Sequence, residues 1–171
     1  ALGALNLEKG STVVVSALSP RCYLEELQKH ELEPVLLDVK EQDGCIDLRE
    51  VQKAVEGGAK AVLLHYPLGY IPETEMFEQF DCPIIEDVTT AFGGNDGTFL
   101  AGSQGNFTVI GMEEEHLLSS AGGGVVVGKG KKEWFALKQR AEDLGRSRYM
   151  ADLNAALGLT VLREHESTVL R

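Results

Sequence analysis

A chain of 171 residues with 43% apolar residues has the length and composition of one folded domain. Its net charge of −11 argues against nucleic-acid or anionic-membrane binding, and no apolar run is long enough for a membrane span. The three cysteines are widely spaced and form no CxxC pair, so we expect a cytoplasmic protein without disulfide framework or metal site.

The first half of the chain alternates between apolar runs and helical patterns. STVVVSA (11–17), EPVLLDV (33–39) and KAVLLHY (60–66) predict strands, because they are β-branched or leucine-rich and bounded by breakers. Helices are predicted in RCYLEELQKHE (21–31) and after Asp47, which can cap its helix. PETEMFEQF, residues 72–80, predicts a short helix opened by proline.

The second half continues the alternation. Strands are predicted for PIIEDV (83–88), NFTVIGM (106–112) and GGVVVG (123–128), and two closing helices for residues 131–145 and 150–166. Trp134 and Phe135 are expected in the buried stripe of the first closing helix. Apolar strands separated by helices predict a three-layer α/β/α domain with a mostly parallel sheet.

Ligands of open α/β sheets bind beyond the carboxyl ends of the strands. Asp87 follows a buried strand at that edge, in CPIIEDVTTAFGG (82–94), and His65 ends another strand. Position alone favours Asp87 as a helix or turn cap, because Asp-x-Thr-Thr forms such hydrogen bonds readily. A ligand-binding role is the alternative.

Six stretches in chain order resemble the large domain of the DegT/StrS-type sugar aminotransferases, which are fold-type I enzymes dependent on pyridoxal phosphate. They are LEKGSTVVVSAL, LEPVLLDVKEQDGCIDLREVQKAV, PIIEDVTTAFGG, GSQGNFTVIG, AGGGVVV and RYMADLNAALGLTVLRE. The resemblance covers nearly the whole chain, so residues 1–171 are expected to form a single, partial large domain of a pyridoxal-phosphate-dependent transferase. The family's chains are longer.

The resemblance implies a mostly altered cofactor site. Asp87 matches the aspartate that pairs with the pyridinium nitrogen, and Thr90 matches a residue that touches the cofactor. Pro20 stands where an aromatic residue stacks on the ring, and Gly111 stands where a serine binds the phosphate. His116 occupies the position of the Schiff-base lysine, and an imidazole cannot form that imine.

Three functions remain open. The first is a degenerate homologue without transaminase activity and with no cofactor, serving as a scaffold or partner subunit. The second is a histidine-type sugar 3-dehydratase of nucleotide-sugar biosynthesis, in which His116 is the base and pyridoxal phosphate is bound by Asp87 and Thr90. The third is a module that binds another small ligand, and the sequence leaves open whether the protein is an enzyme.

Two further expectations concern partners. The family builds its cleft at a two-fold interface, so the resemblance implies a homodimer, with a nucleotide-sugar as a possible ligand. We also expect Asp87 to hold no cofactor and to be satisfied by Thr89, Thr90 and nearby backbone amides, with protonated His116 as the nearby cation.

Overall fold

The computed structural model describes residues 1–169, which contain a six-stranded sheet. The strands are β1 (Thr12–Ser16), β2 (Glu33–Leu37), β3 (Ala61–His65), β4 (Ile84–Asp87), β5 (Phe107–Gly111) and β6 (Gly124–Gly128). Their order across the sheet is β2-β1-β3-β4-β5-β6. The first five strands pair in parallel, and β6 pairs with β5 in antiparallel orientation. The predicted mostly parallel sheet is confirmed.

Two apolar cores lie on opposite faces of the sheet. Successive side chains of β1 alternate between them: Val13 and Val15 belong to one core and Val14 to the other, and all three are fully buried. Because both faces of the central strands are covered, these strands are continuous apolar runs rather than alternating ones.

Helices supply the outer layers. They are α1 (Leu2–Leu5), α2 (Arg21–Lys29), α3 (Leu48–Glu56), α4 (Lys131–Leu144) and α5 (Asp152–Val169). Helix α2 buries Tyr23 and Leu27 in the core of Val13, and α3 buries Leu48 and Val51 in the core of Val14. This arrangement is the predicted three-layer α/β/α fold.

The start of α3 agrees with its sequence signal. The side chain of Asp47 accepts a hydrogen bond from the backbone N–H of Arg49 at 2.9 Å, as expected of a helix cap. In the described part of the chain, no helix is both long and apolar enough to span a bilayer.

The short helix predicted in residues 72–80 is present, but its opening by Pro72 and the burial of Trp134 and Phe135 were predicted wrongly. Residues 74–79 form a 3-10 helix that begins two residues after Pro72, and its tighter turn brings Phe77 and Phe80 onto one buried side. Trp134 and Phe135 are 52% and 63% exposed rather than buried. Their helix packs on β6, the last strand of the sheet, and the valines of β6 are themselves partly exposed.

Candidate functional site

A cleft of about 1010 Å³ opens at the carboxyl ends of β3, β4 and β5. His65 and Asp87 end their strands there, Gly111 ends β5, and His116 follows five residues later on the same side. The prediction that Asp87 and His116 share one edge of the sheet is therefore confirmed. The opposite wall comes from α2, and Pro20 and Tyr23 line it.

Asp87 is held by the chain's own donors. Its Oδ1 accepts hydrogen bonds from the backbone N–H of Thr89 at 3.0 Å and from the Thr89 hydroxyl at 2.5 Å. Its Oδ2 accepts from the phenol of Tyr23. The contact with the residue-89 amide is the turn cap that the Asp-x-Thr-Thr pattern predicts.

The expected partners of Asp87 were only partly right. Thr89 is confirmed as a donor, whereas the hydroxyl of Thr90 instead donates to the backbone carbonyl of Tyr66 at 2.5 Å. Thr90 nevertheless lines the cleft. Tyr23 was missed, because its helical periodicity shows only that the ring is buried.

The Tyr23 phenol is a neutral donor in this site. Burial raises its pKa above its usual range, and the charge of Asp87 and the hydrogen bond to it add to the shift. Its ring also meets the imidazole of His65 edge to face, with 6.2 Å between centroids. Tyr23 therefore joins the ends of β3 and β4 to α2.

His65 lies opposite Asp87 in the register between β3 and β4. Its Nδ1 is buried and has no hydrogen-bond partner among the described residues. Burial lowers the pKa of His65, and the nearby Asp87 opposes that shift. A neutral imidazole is the form that this environment favours.

His116 is anchored by a neighbour in its own loop. Its Nδ1 lies 3.2 Å from the backbone nitrogen of Glu113 and 2.8 Å from that residue's Oε2. The neutral ring can accept from the N–H, and the protonated ring can donate to the carboxylate, so residue 113 can hold either form.

The ring of His116 covers the end of β5. A Cβ added to Gly111 would lie 2.8 Å from both Cε1 and Nδ1 of His116 and 3.0 Å from Oε2 of Glu113. The absence of a side chain at Gly111 thus makes room for the imidazole and the carboxylate. The amide of Gly111 donates to the Thr89 hydroxyl at 2.8 Å, which ties this point to the Asp87 turn.

Glu86, the other acid of the pair, was not singled out from the sequence. It is completely buried and accepts from the Tyr66 phenol and from the amides of Gly102, Gln104 and Gly105. The acid in an otherwise apolar strand was the available signal, since a buried carboxylate requires several donors. Its donors come from the loop before β5 and from the residue that follows β3, so Glu86 organises the fold beneath the cleft.

Metal binding has no support in residues 1–169. No group of three or more His, Cys, Asp or Glu side chains in this part of the chain could hold an ion. The three cysteines at positions 22, 45 and 82 are unpaired thiols, and burial raises the pKa of each.

The fold and the cleft at the strand ends define an α/β domain of the aminotransferase type. The sequence pattern of the DegT/DnrJ/EryC1/StrS aminotransferase family matches residues 1–171, and the chain belongs to this family. It is 26% identical over 148 residues to the L-glutamine:2-deoxy-scyllo-inosose aminotransferase of Micromonospora echinospora. That match covers 84% of this chain and 34% of the relative.

Solved structures share the fold at low sequence identity. An aminotransferase from Psychrobacter cryohalolentis superposes with a TM-score of 0.81 at 18% identity, covering 96% of this chain and 49% of that one. The GDP-4-keto-6-deoxy-D-mannose-3-dehydratase of E. coli, with bound hydrated PLP, gives 0.78 at 19% identity, covering 92% and 49%. The chain thus spans about a third to a half of the length of these relatives.

The cleft residues do not fit pyridoxal phosphate as they are arranged. The resemblance places the ring nitrogen at Asp87, where the Tyr23 phenol is already bonded. It places the phosphate near Gly111, where the imidazole of His116 and the carboxylate of Glu113 fill the space. A carboxylate at that point also repels a phosphate dianion.

Proposed function

We propose that this chain is a degenerate homologue of the pyridoxal-phosphate-dependent sugar aminotransferases, without transaminase activity and without a bound cofactor. Its role is that of a scaffold or partner subunit in the cytoplasm. The observation that carries the proposal is the hydrogen bond from the Tyr23 phenol to Asp87, the one acidic residue retained from the family's cofactor site.

The state of Asp87 supports this proposal. A carboxylate placed for a pyridinium and left without a cation would have to find other donors or take up a proton. Tyr23 supplies one donor and Thr89 supplies two, so the carboxylate is satisfied without a ligand.

The position of His116 supports it independently. Transamination through this site needs an amine that forms and re-forms an imine, which an imidazole cannot do. Among the described residues that line the cleft, Lys29 supplies the only lysine amine, and it is ion-paired with Glu26. Lys29 lines the cleft from the end of α2, whereas Asp87 lines it from the end of the central strand β4.

Titration with pyridoxal phosphate tests the proposal. The purified protein should be colourless, and the cofactor should give no saturable visible band that depends on protein. His116→Lys alone should not restore binding, because Tyr23 and Glu113 still occupy the two ends of the site. A yellow preparation, or saturable binding at about micromolar concentration that Asp87→Ala abolishes, would overturn the proposal.

The second candidate is a histidine-type sugar 3-dehydratase, which the histidine at position 116 favours. The chain shares its fold with the E. coli dehydratase, as it does with the aminotransferases. His116 would then be its base, Asp87 and Thr90 would contact pyridoxal phosphate, and a nucleotide-linked 4-keto-6-deoxy sugar would be the substrate. Cofactor binding without an imine band, together with loss of a 4-keto-6-deoxy sugar nucleotide in His116-dependent fashion, would establish it. The His116→Asn variant is the matched control.

A module that binds another small ligand is the third candidate. The cleft supports it, because its volume is within the range of small-molecule sites. Saturable binding of a ligand other than pyridoxal phosphate, with no turnover of that ligand, would distinguish this candidate from the dehydratase.

We also propose that the protein is a homodimer. Large apolar side chains are exposed on its last strand and last two long helices, including Val127, Trp134, Phe135, Leu153 and Leu159. A two-fold contact between identical faces would cover such a surface. Light scattering at about 20 μM should give the mass of a dimer, and a monomer at that concentration would count against the proposal.

A further inference from the structure

One end of the cleft is basic, although the chain as a whole carries a net charge of −11. Three elements bring their side chains to this end: α2 through Lys29 and His30, α4 through Arg140, and the 3-10 turn after α4 through Arg148. Glu26 is the carboxylate that lines the same end, and it is bonded to Lys29. The remaining acidic lining residues, Asp87, Glu113 and Glu115, belong to β4 and the loop after β5.

Arg140 and His30 converge on a single point above α1. A Cβ added to Gly3 would lie 2.6 Å from Nε of Arg140 and 3.2 Å from Cε1 of His30. The guanidinium and the imidazole therefore both pack against the Cβ side of Gly3. The absence of a side chain at Gly3 leaves space for the guanidinium and the imidazole.

Among the side chains that the structure describes, the two arginines of this end have no carboxylate within ion-pair distance. Within residues 1–169, neither Arg140 nor Arg148 forms an ion pair, whereas Arg21 and Arg49 both do. The charge of Lys29 is compensated by its ion pair with Glu26. It also lies in the last turn of α2, where a cation interacts favourably with the helix dipole. The uncompensated charge of the basic end therefore belongs to Arg140 and Arg148.

We propose that Arg140, Arg148 and His30 form a binding site for the phosphate group of a small-molecule ligand. A guanidinium presents several N–H donors in one plane, which matches the oxygens of a phosphate, and His30 adds a further donor. The C-terminal end of α2 carries partial negative charge and does not attract an anion, so the attraction must come from the arginines. The site does not depend on pyridoxal phosphate chemistry, because neither Asp87 nor His116 belongs to it.

Calorimetric titration at low ionic strength tests this site, with inorganic pyrophosphate, inorganic phosphate and a nucleoside diphosphate as separate probes. We expect saturable binding of at least one probe, weakened when NaCl rises from about 50 to about 500 mM. Tighter binding of the nucleoside diphosphate than of pyrophosphate would assign the site to a nucleotide. Equal binding of the two would assign it to a simpler phosphate ester.

Matched variants locate the binding. Arg148→Ala and Arg140→Ala should each weaken it about tenfold, since a charge-assisted hydrogen bond contributes about that factor. Arg146→Ala removes the same charge from the same turn but lies outside the cleft lining, and it should leave the affinity unchanged. Gly3→Ala should weaken binding without any loss of charge, because its methyl group displaces Arg140 and His30.

Two results would overturn the proposal. One is the absence of saturable binding of every probe up to about 1 mM at low salt. The other is an equal loss of affinity in Arg146→Ala and Arg148→Ala, which would mean attraction by overall charge rather than a site. Circular dichroism of each variant shows whether it is folded. If an arginine variant does not fold, Gly3→Ala still tests the site, because it changes the positions of Arg140 and His30 without removing a charge.

Discussion

The two faces of β4 each carry one carboxylate, Glu86 beneath the cleft and Asp87 inside it, and the sources of their hydrogen bonds differ. Glu86 is bonded to three backbone amides and one phenol, and it is completely buried. Asp87 is bonded to one amide and to the side chains of Tyr23 and Thr89, beside an open cleft. Backbone donors cannot leave without moving a loop, whereas side-chain donors can rotate away. The buried face therefore maintains the fold, and the cleft face is where sequence changes can alter a ligand site at small cost.

The largest expected effect comes from removing the charge of Glu86. Glu86→Gln presents an amide nitrogen to backbone N–H donors and should lower the free energy of unfolding by about 3 kcal/mol or more. Asp87→Asn should lower the free energy of unfolding by about 1 kcal/mol, because the side-chain donors of Tyr23 and Thr89 can rotate away from the amide. Urea denaturation of both variants measures the difference, and equal losses would contradict the contrast between the two faces.

A methyl group distinguishes the same two faces. In Gly105→Ala the new Cβ would lie 3.0 Å from both Cγ of Glu86 and the carbonyl oxygen of Ile84. The backbone must shift, so we expect a loss of about 2 kcal/mol. Gly111→Ala meets the side chain of His116, which can turn into the cleft, and should cost less than about 1 kcal/mol. Thermal unfolding compares them, and a larger loss in Gly111→Ala would refute the expectation.

Removing the hydroxyl of Tyr66 or of Tyr23 should give a smaller difference in the free energy of unfolding. Tyr66→Phe leaves a buried carboxylate short of one donor and should cost about 1.5 kcal/mol. Tyr23→Phe should cost about half as much, since water in the cleft can replace its hydroxyl. Chemical denaturation again provides the measurement. The exposed Tyr70→Phe is the control and should be neutral.

The smallest effect depends on pH and concerns His65. Burial holds the pKa of His65 below its ordinary value of 6.5, so the unfolded chain takes up this proton first as the pH falls. The stability contributed by neutral His65 is therefore present above that value and is lost as the pH falls through the folded pKa. Between about pH 7.5 and pH 5, wild-type protein should lose up to about 0.5 kcal/mol more than His65→Asn, since the ring is only half-buried. A larger loss in the variant would mean that His65 is not the group responsible.

Periodicity and breakers were sufficient to predict the sheet, because every strand is an apolar run between breakers, and the four inner strands are buried on both faces. They were not sufficient for Trp134 and Phe135, whose helix has an apolar pattern but meets the sheet only at its edge strand β6. A pattern shows which residues prefer burial, but the number of layers above a helix is a property of the whole fold.

The candidate site likewise contains some features that local sequence predicts and others that it does not. The position of Asp87 at a strand end and its turn with Thr89 follow from local sequence, and both were predicted. The bond from Tyr23 joins residues 64 positions apart, and Glu86 collects donors from two separate segments. Such contacts depend on how α2 and the loop before β5 pack against β4, which no local pattern specifies.

The antiparallel direction of β6 has a consequence for the order of folding. Strands β5 and β6 pair directly across residues 112–123, whereas each parallel pair must wait for a chain crossover to be completed. The entropy lost in closing a short loop is small, and contacts close in sequence form soonest. We therefore expect the hairpin that carries His116 to acquire protection from hydrogen exchange before β1 and β3 meet, so that this loop is in place when the rest of the sheet assembles beside it.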